Sequence, residues 1–198
     1  MSADTVVLAT RNEGKLRELA RIIDSQVIGL DEFPDAPDVP ETGATFEANA
    51  LLKARAIAAY TGLPAVADDS GLCVDALNGM PGVLSARWAG RHGDDHANLE
   101  LVLAQVADVP DARRGARFVC AAALVVPGAG EWVTTGEVVG RLIREPRGSG
   151  GFGYDPVFLP DGSDLTTAEM TPEAKDRISH RGRALRALAP VIAAWLTG

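Results

Sequence analysis

Only two of the 198 residues are cysteines, Cys73 and Cys120, and each lies in an apolar stretch (Leu72 to Val74; Phe118 to Val126). That excludes a disulfide-stapled framework and points to two buried free thiols in a reducing compartment, with a single disulfide as the alternative. An excess of positive charge is also missing: 19 Lys and Arg stand against 27 Asp and Glu, a net charge of −8. Such a surface does not favour DNA, RNA or an anionic membrane, so no nucleic-acid or membrane partner is expected. A polyanion would need locally concentrated Lys and Arg and a divalent cation. No stretch reaches the ~18 apolar residues that a membrane span needs, and Met1-Ser2-Ala3-Asp4 lacks the charged start of an export signal. A cytoplasmic protein is expected. No Walker A motif, G-x-S-x-G elbow or C-x-x-C pair occurs, which argues against those classes. There is no internal repeat, low-complexity tract or clear linker. What remains is a chain 46% hydrophobic and 23% charged, suited to one large domain or two tightly joined lobes.

Strand and helix signals alternate along the chain, as in an α/β protein. Thr5 to Ala9 reads as a strand. Asn12 is a good N-cap for a helix carrying Leu16, Leu19, Ile22 and Ile23 at helical spacing. Residues 31 to 41 are acidic and proline-rich, hence a loop. Thr42 or Thr45 caps a second helix to about Tyr60, with Phe46, Ala50, Ala54 and Ile57 along one stripe. Pro64 to Gly71 then reads as a short buried strand with a turn at Gly71. Asn78 to Gly82 is a turn, and Asp94 or Asp95 caps a third helix with Leu99, Val102, Leu103 and Val106 on one face. Arg117 to Val126 and Glu131 to Val139 form a hairpin across Pro127 to Gly130, and its length hints at a second lobe. The last helix runs from Ser179 to Trp195, bent at Pro190.

Several local patterns point to chemistry. Asp68 and Asp69 end an apolar strand, where charge is costly unless paired or bound to metal and where α/β proteins place ligand chemistry. A solvated turn with one capping Asp is the ordinary alternative. In Thr10-Arg11-Asn12-Glu13-Gly14-Lys15, cations stand at a helix N-terminus, where the local field disfavours them. Backbone N–H groups, Arg11 and Lys15 together suit a phosphate; solvated basic residues are the alternative. Ser179-His180-Arg181, with Lys175 and Arg177 upstream, repeats the pattern. Either an anion is held there, or the helix starts elsewhere and the side chains point to water. Gly148 to Gly153 matches G-x-G-x-x-G, but Pro156 opposes the helix that a dinucleotide fold requires. The glycines instead let backbone approach a ligand, with Phe152 and Tyr154 free to stack on a flat ring; a flexible surface loop is the alternative. His92 and His96, at i and i+4 beside Asp94 and Asp95, carry no metal site because the aspartates explain themselves as caps.

Taken together, these pieces resemble the inosine triphosphate pyrophosphatase family over almost the whole chain. The landmarks occur in family order. They are Thr10-x-Asn12-x-x-Lys15; Glu41-Thr42-Gly43-x-Thr45-Phe46-x-x-Asn49-Ala50-x-x-Lys53-Ala54; and Ala67-Asp68-Asp69-Ser70-Gly71. Gly79-x-Pro81-Gly82-x-x-Ser85-Ala86-Arg87, Gly150 to Pro156 and Ser179-His180-Arg181-Gly182 follow. Arg11 stands where the family often has glycine.

The resemblance implies an α/β fold: a long mixed sheet flanked by helices, one domain of two lobes with the nucleotide cleft between them. It implies hydrolysis of deaminated purine nucleoside triphosphates (ITP, dITP, XTP) to monophosphate and pyrophosphate, Mg²⁺ dependence and a homodimer. Carried over by position, Asp69 is the general base, and Glu41 and Asp69 serve the metal with Asp68 close by. Thr10, Asn12, Lys15, Lys53 and Ser70 hold phosphates, in the loop that also contains Arg11, Glu13 and Gly14. Phe152, Gly153, Tyr154, Asp155, Lys175, His180 and Arg181 hold base and sugar. Arg181 has only donors, and protonated His180 donates as well; both suit the O6 acceptor of a 6-keto purine and oppose the amino group of adenine. The rival readings are a kinase or general NTPase, which makes a diphosphate, and a nucleotide-sensing module without catalysis.

Overall fold

A computed structural model of the chain describes residues 5–11, 13–23 and 26–196, with the side chains of 13–15 and 18 outside that description. Asn12, the expected first cap, therefore lies outside the described residues. Six strands form one sheet in the order β2-β1-β3-β4-β5-β6. They are β1 (Thr5–Leu8), β2 (Gln26–Ile28), β3 (Ala65–Val74), β4 (Gly115–Val126), β5 (Gly130–Leu142) and β6 (Phe158–Pro160). β1 pairs in parallel with β2 and β3, while β5 and β6 are antiparallel, so the expected mixed α/β sheet is present. β4 and β5 are neighbours joined by a short turn in which Ala129 N–H donates to Val126 O. So short a link requires the hairpin expected there.

The helices are α1 (Glu13–Ile22), α2 (Phe46–Thr61), α3 (Asp95–Gln105), α4 (Pro172–Ile178) and α5 (His180–Leu196). Thr45 starts α2 by accepting from Ala48 N–H at 3.2 Å, and Gly62 ends it in the left-handed conformation, φ 71°. Between these caps the stripe Phe46, Ala50, Ala54 and Ile57 is buried, as the 3.6-residue period requires. Asp94 starts α3 in the same way, accepting from Ala97 N–H.

Two expectations change. β3 does not stop at Gly71; it continues to Val74, because Leu72, Cys73 and Val74 extend the apolar run and are buried. Asp68 and Asp69 therefore lie within a strand, not at its end. The last helix is found where expected, as α5, but a short helix that was not expected, α4, precedes it and ends at Ser179, ψ 135°. Lys175 and Arg177 accordingly sit in the last turn of α4, where the helix field favours cations. They do not crowd the positive end of the last helix.

The chain divides into two compact units. The first holds residues 1–69, 120–136 and 181–198. In its core, Leu19 and Ile23 from the α1 region and Leu185, Leu188 and Ile192 of α5 pack on Val6, Leu8, Val66, Ala122 and Leu124 of the sheet. The second holds residues 70–119 and 137–180. Its core joins Leu72 and Val74 to Leu99, Val102, Leu142, Tyr154 and Phe158. Cys73 and Cys120 are buried free thiols. Among the described residues no helix is long and apolar enough to cross a membrane.

Candidate active site

Successive residues of a strand point to opposite faces. Asp68 and Asp69, 6% and 8% exposed, therefore diverge. Asp68 faces α5, and Arg181 Nε donates to its Oδ2 at 3.0 Å. Asp69 faces α2. Asn49 Nδ2 donates to Asp69 Oδ2 at 3.0 Å, and the Lys53 ammonium lies 3.5 Å from Oδ1. Asn49 and Lys53 reach one carboxylate because residues at i and i+4 share a helix face. Lys53 also donates to Glu41 Oε1 at 2.8 Å. The two aspartates thus have different direct partners, although Asp68 lies near enough to act electrostatically on both Asp69 and Lys53.

The Asp69 carboxyl is held above the usual carboxylate range. Burial is the main cause, with Glu41 and Asp68 adding to it and with Lys53 and Asn49 opposing. Burial works against the Lys53 charge too, but Asp69, Glu41 and Asp68 outweigh it and hold that ammonium above its usual value. So the pair favours charge on lysine more than on aspartate. Glu41 and Asp69 place two hard oxygen ligands beside one cation position. Among the described residues no group of three or more His, Cys, Asp and Glu could hold a metal ion. That pair suits Mg²⁺, which is commonly bound by one or two carboxylates together with substrate phosphates.

The expected phosphate loop is described in part. Thr10 is half-buried, and its carbonyl accepts from Leu30 N–H at 3.2 Å. Arg11 pairs with Asp38 at 3.4 Å on an exposed surface. Asn12 and the side chains of Glu13 and Lys15 lie outside the described residues; Glu13, Gly14 and Lys15 form the first turn of α1. Ser70 is the one partly exposed position of β3.

In the second unit the loop of residues 148–153 turns through Gly148, Gly151 and Gly153, all at positive φ. A Cβ on Gly151 would meet the Asp155 carboxylate at 2.1 Å. Buried Asp155 organises this loop. It accepts from Phe152 N–H at 2.8 Å, from Thr167 Oγ1 at 2.8 Å and from the Lys175 ammonium. Asp95, in the first turn of α3, accepts from Gly153 N–H at 2.8 Å. The result presents Phe152, 65% exposed, with Lys175 Nζ 4.8 Å from its ring centroid. Tyr154 does not join it. Its ring is 4% exposed in the core and its hydroxyl donates to Ser85 O at 2.8 Å. Burial, with Asp95 adding, holds that phenol well above its ordinary value. Tyr154 therefore offers no free ring face for the stacking expected of it, whereas the Phe152 ring is exposed. His180 stacks on Phe118, centroids 5.1 Å apart and planes 13° apart. Arg181, expected at the base, has its Nε committed to Asp68.

Sequence reasoning gave no role to Asn49 or Asp95. Asn49 carried a signal, four residues before Lys53 in the same motif. Asp95 carried none beyond its place as a cap.

Comparison with known proteins bears on the family of the whole chain. The Ham1 family profile matches residues 6–191. A Nocardia farcinica protein named dITP/XTP pyrophosphatase is 64% identical over 98% of this chain and 97% of its own length. A Streptomyces coelicolor protein of the same name is 59% identical over 94% and 96%. The crystal structure of a nucleoside-triphosphatase / dITP/XTP pyrophosphatase from Mycobacterium abscessus superposes with TM-score 0.81 at 58% identity, covering 94% of this chain and 99% of that one. The Staphylococcus aureus Ham1 protein superposes with TM-score 0.89 at 41% identity over 96% and 98%. A profile match over residues 6–191 and identity of this degree over nearly the full length show that the chain belongs to the Ham1 family.

Proposed function

We propose that this chain is a nucleoside-triphosphate pyrophosphatase that removes deaminated purine nucleotides (ITP, dITP and XTP) from the nucleotide pool, yielding monophosphate and pyrophosphate. The observation that carries the reading is Asp69, a buried carboxylate with raised proton affinity beside Lys53 and Glu41. The name shared by relatives that match over 94–98% of the chain supports it. A base needs proton affinity nearer neutrality than that of a free carboxylate, and burial supplies that direction.

In this reading Asp69 orients a water and takes its proton. The water oxygen forms a bond to the α-phosphorus, the α–β anhydride bond breaks, and pyrophosphate leaves. Lys53, Lys15, Thr10, Asn12 and Ser70 hold the phosphates, and a lysine beside the leaving group offsets its growing charge. Mg²⁺, when bound by Glu41 and Asp69, supplies further charge compensation at phosphate oxygens. Phe152 stacks on the base, framed by Lys175 and Asp155. His180, and Arg181 aligned by Asp68, supply donors to O6. An adenine amino group there leaves a donor unmet at ~1–3 kcal/mol. The two units are read as the two lobes of one domain, working as a cytoplasmic homodimer.

Incubation with a panel of ITP, dITP, XTP, GTP and ATP in Mg²⁺, with product analysis, tests the reading. Pyrophosphate and monophosphate from the deaminated purines are expected. A diphosphate with inorganic phosphate, or binding without turnover, would refute it.

A further inference from the structure

Asn49 is wholly buried, and both ends of its amide are used. Its Oδ1 accepts from Gly43 N–H at 2.7 Å, and its Nδ2 donates to Asp69 Oδ2 at 3.0 Å. The partners fix the amide's orientation, because an N–H can only donate and a carboxylate here can only accept. Gly43 has no room to spare: a Cβ there would lie 2.7 Å from Asn49 Oδ1 and 2.8 Å from the Ala48 Cβ. Two residues before Gly43 is Glu41, which Lys53 links back to Asp69. Gly43, Asn49, Asp69, Lys53 and Glu41 thus close a circuit around the carboxylate.

The last torsion of an aspartate is broad and poorly self-determined. A carboxylate held by Lys53 alone could pivot about it. Asp69 is held at Oδ1 by Lys53 and at Oδ2 by Asn49, which leaves it one orientation. A purely architectural asparagine would cap the partly buried Gly43 N–H. That accounts for its oxygen and leaves its donor, aimed at Asp69, without a reason.

We infer that Asn49, locked in place by Gly43, is a positioning residue that orients the Asp69 carboxylate for hydrolysis and couples it to the Glu41 segment. The inference rests on the role given to Asp69 under Proposed function.

Two variants of the full chain test it. Asn49→Asp keeps the size of the side chain and the acceptor for Gly43, and removes the donor to Asp69. Gly43→Ala leaves every polar and charged group in place and pushes on the amide. Each is assayed with ITP and Mg²⁺ for kcat and KM, and by calorimetry for binding of a non-hydrolysable ITP analogue. We expect kcat to fall about 10- to 100-fold, the scale of a misplacement of about an ångström. KM and analogue affinity should stay within about threefold, since an interaction that matters mainly in the transition state is lost. The double variant should be no slower than the worse single one by more than about twofold, because both break one link. Wild-type kcat in either folded variant overturns the inference. So does a parallel loss of kcat and analogue affinity, which marks an architectural residue. Should Asn49→Asp not fold, Gly43→Ala decides. Absence of pyrophosphate release by the unaltered protein is a separate result: it overturns the functional reading and removes the reaction for which Asp69 is positioned.

Discussion

Lys53→Met asks how the charged face of β3 is held together. Methionine keeps most of lysine's length and apolar stem and deletes the ammonium. That ammonium lies 2.8 Å from Glu41 and 3.5 Å from Asp69. At an effective dielectric of ~20, each contact is a gross attraction of about 5–6 kcal/mol. Desolvation of the ions offsets much of this. Removing one partner of a fully buried pair costs ~3–5 kcal/mol. Here the Lys53 and Glu41 side chains keep 18% and 24% of their exposure, so solvent screening lowers the expected loss to about 2–4 kcal/mol.

The pH dependence has a definite sign. Lys53 is held above its usual value. Its stabilising contribution is fully present below the unfolded lysine value and is lost only as pH rises through the higher folded value, so it is constant through neutrality. In the variant, Asp69 loses the largest influence that opposes its burial. A carboxylate raised by folding costs stability while ionised, and the cost is relieved as pH falls through its folded value. The deficit should therefore be largest on the alkaline side of neutrality and shrink across the acidic range, by at most ~1.4 kcal/mol per pH unit for each proton taken up. Urea unfolding followed by tryptophan fluorescence across that range gives the stability of both proteins. A deficit under about 1 kcal/mol, or one that does not shrink on acidification, refutes the reasoning.

Further variants probe the proposed chemistry. Asp69→Asn should abolish turnover of ITP while a non-hydrolysable analogue binds within about threefold of the unaltered protein; turnover near normal would remove Asp69 as base. Arg181→Ala leaves Asp68, 5% exposed in its side chain, without the Nε donor. Unfolding should become easier by ~3–5 kcal/mol, and the preference for ITP over ATP should fall about tenfold, the loss of one matched donor. An unchanged ratio would leave Arg181 as an anchor for Asp68 and nothing more. Phe152→Ala removes a ring that is 65% exposed, so stability should move by no more than about 0.5 kcal/mol. Its KM for ITP should rise about tenfold if the ring stacks on the base, and an unmoved KM would deny that stacking.

Much of the scaffold was legible because its signals are local. Thr45 and Asp94 cap helices through their own side chains, and the stripe Phe46, Ala50, Ala54 and Ile57 reports its burial by spacing alone. The order of the six motif blocks identified the family without any structure. The failures lie where local preference yields to packing. Gly71 reads as a turn, but it is held extended inside β3 with apolar residues continuing beyond it. Tyr154 sits in a glycine-rich loop that promises exposure, yet its ring completes a core that includes Leu99 and Val102, with its hydroxyl satisfied by Ser85 O. The last helix starts beside Ser179 as read, but the short helix α4 before it was not seen, and it puts Lys175 and Arg177 at a helix end that welcomes them.

The opposed directions of Asp68 and Asp69 follow from strand geometry, and they explain how one buried strand carries two adjacent charges. Neither carboxylate can neutralise the other, and each would be costly alone. The chain supplies a separate cation for each face: Lys53 from α2 on one side, Arg181 from α5 on the other. The two faces then differ in kind. Arg181 Nε donates to Asp68 at 3.0 Å, whereas Lys53 stands 3.5 Å from Asp69 and nearer to Glu41. Burial outweighs that cation and keeps the proton affinity of Asp69 raised, which is the condition a base needs and a purely architectural ion pair does not. Adjacent identical residues acquire separate work because the strand turns them towards different neighbours.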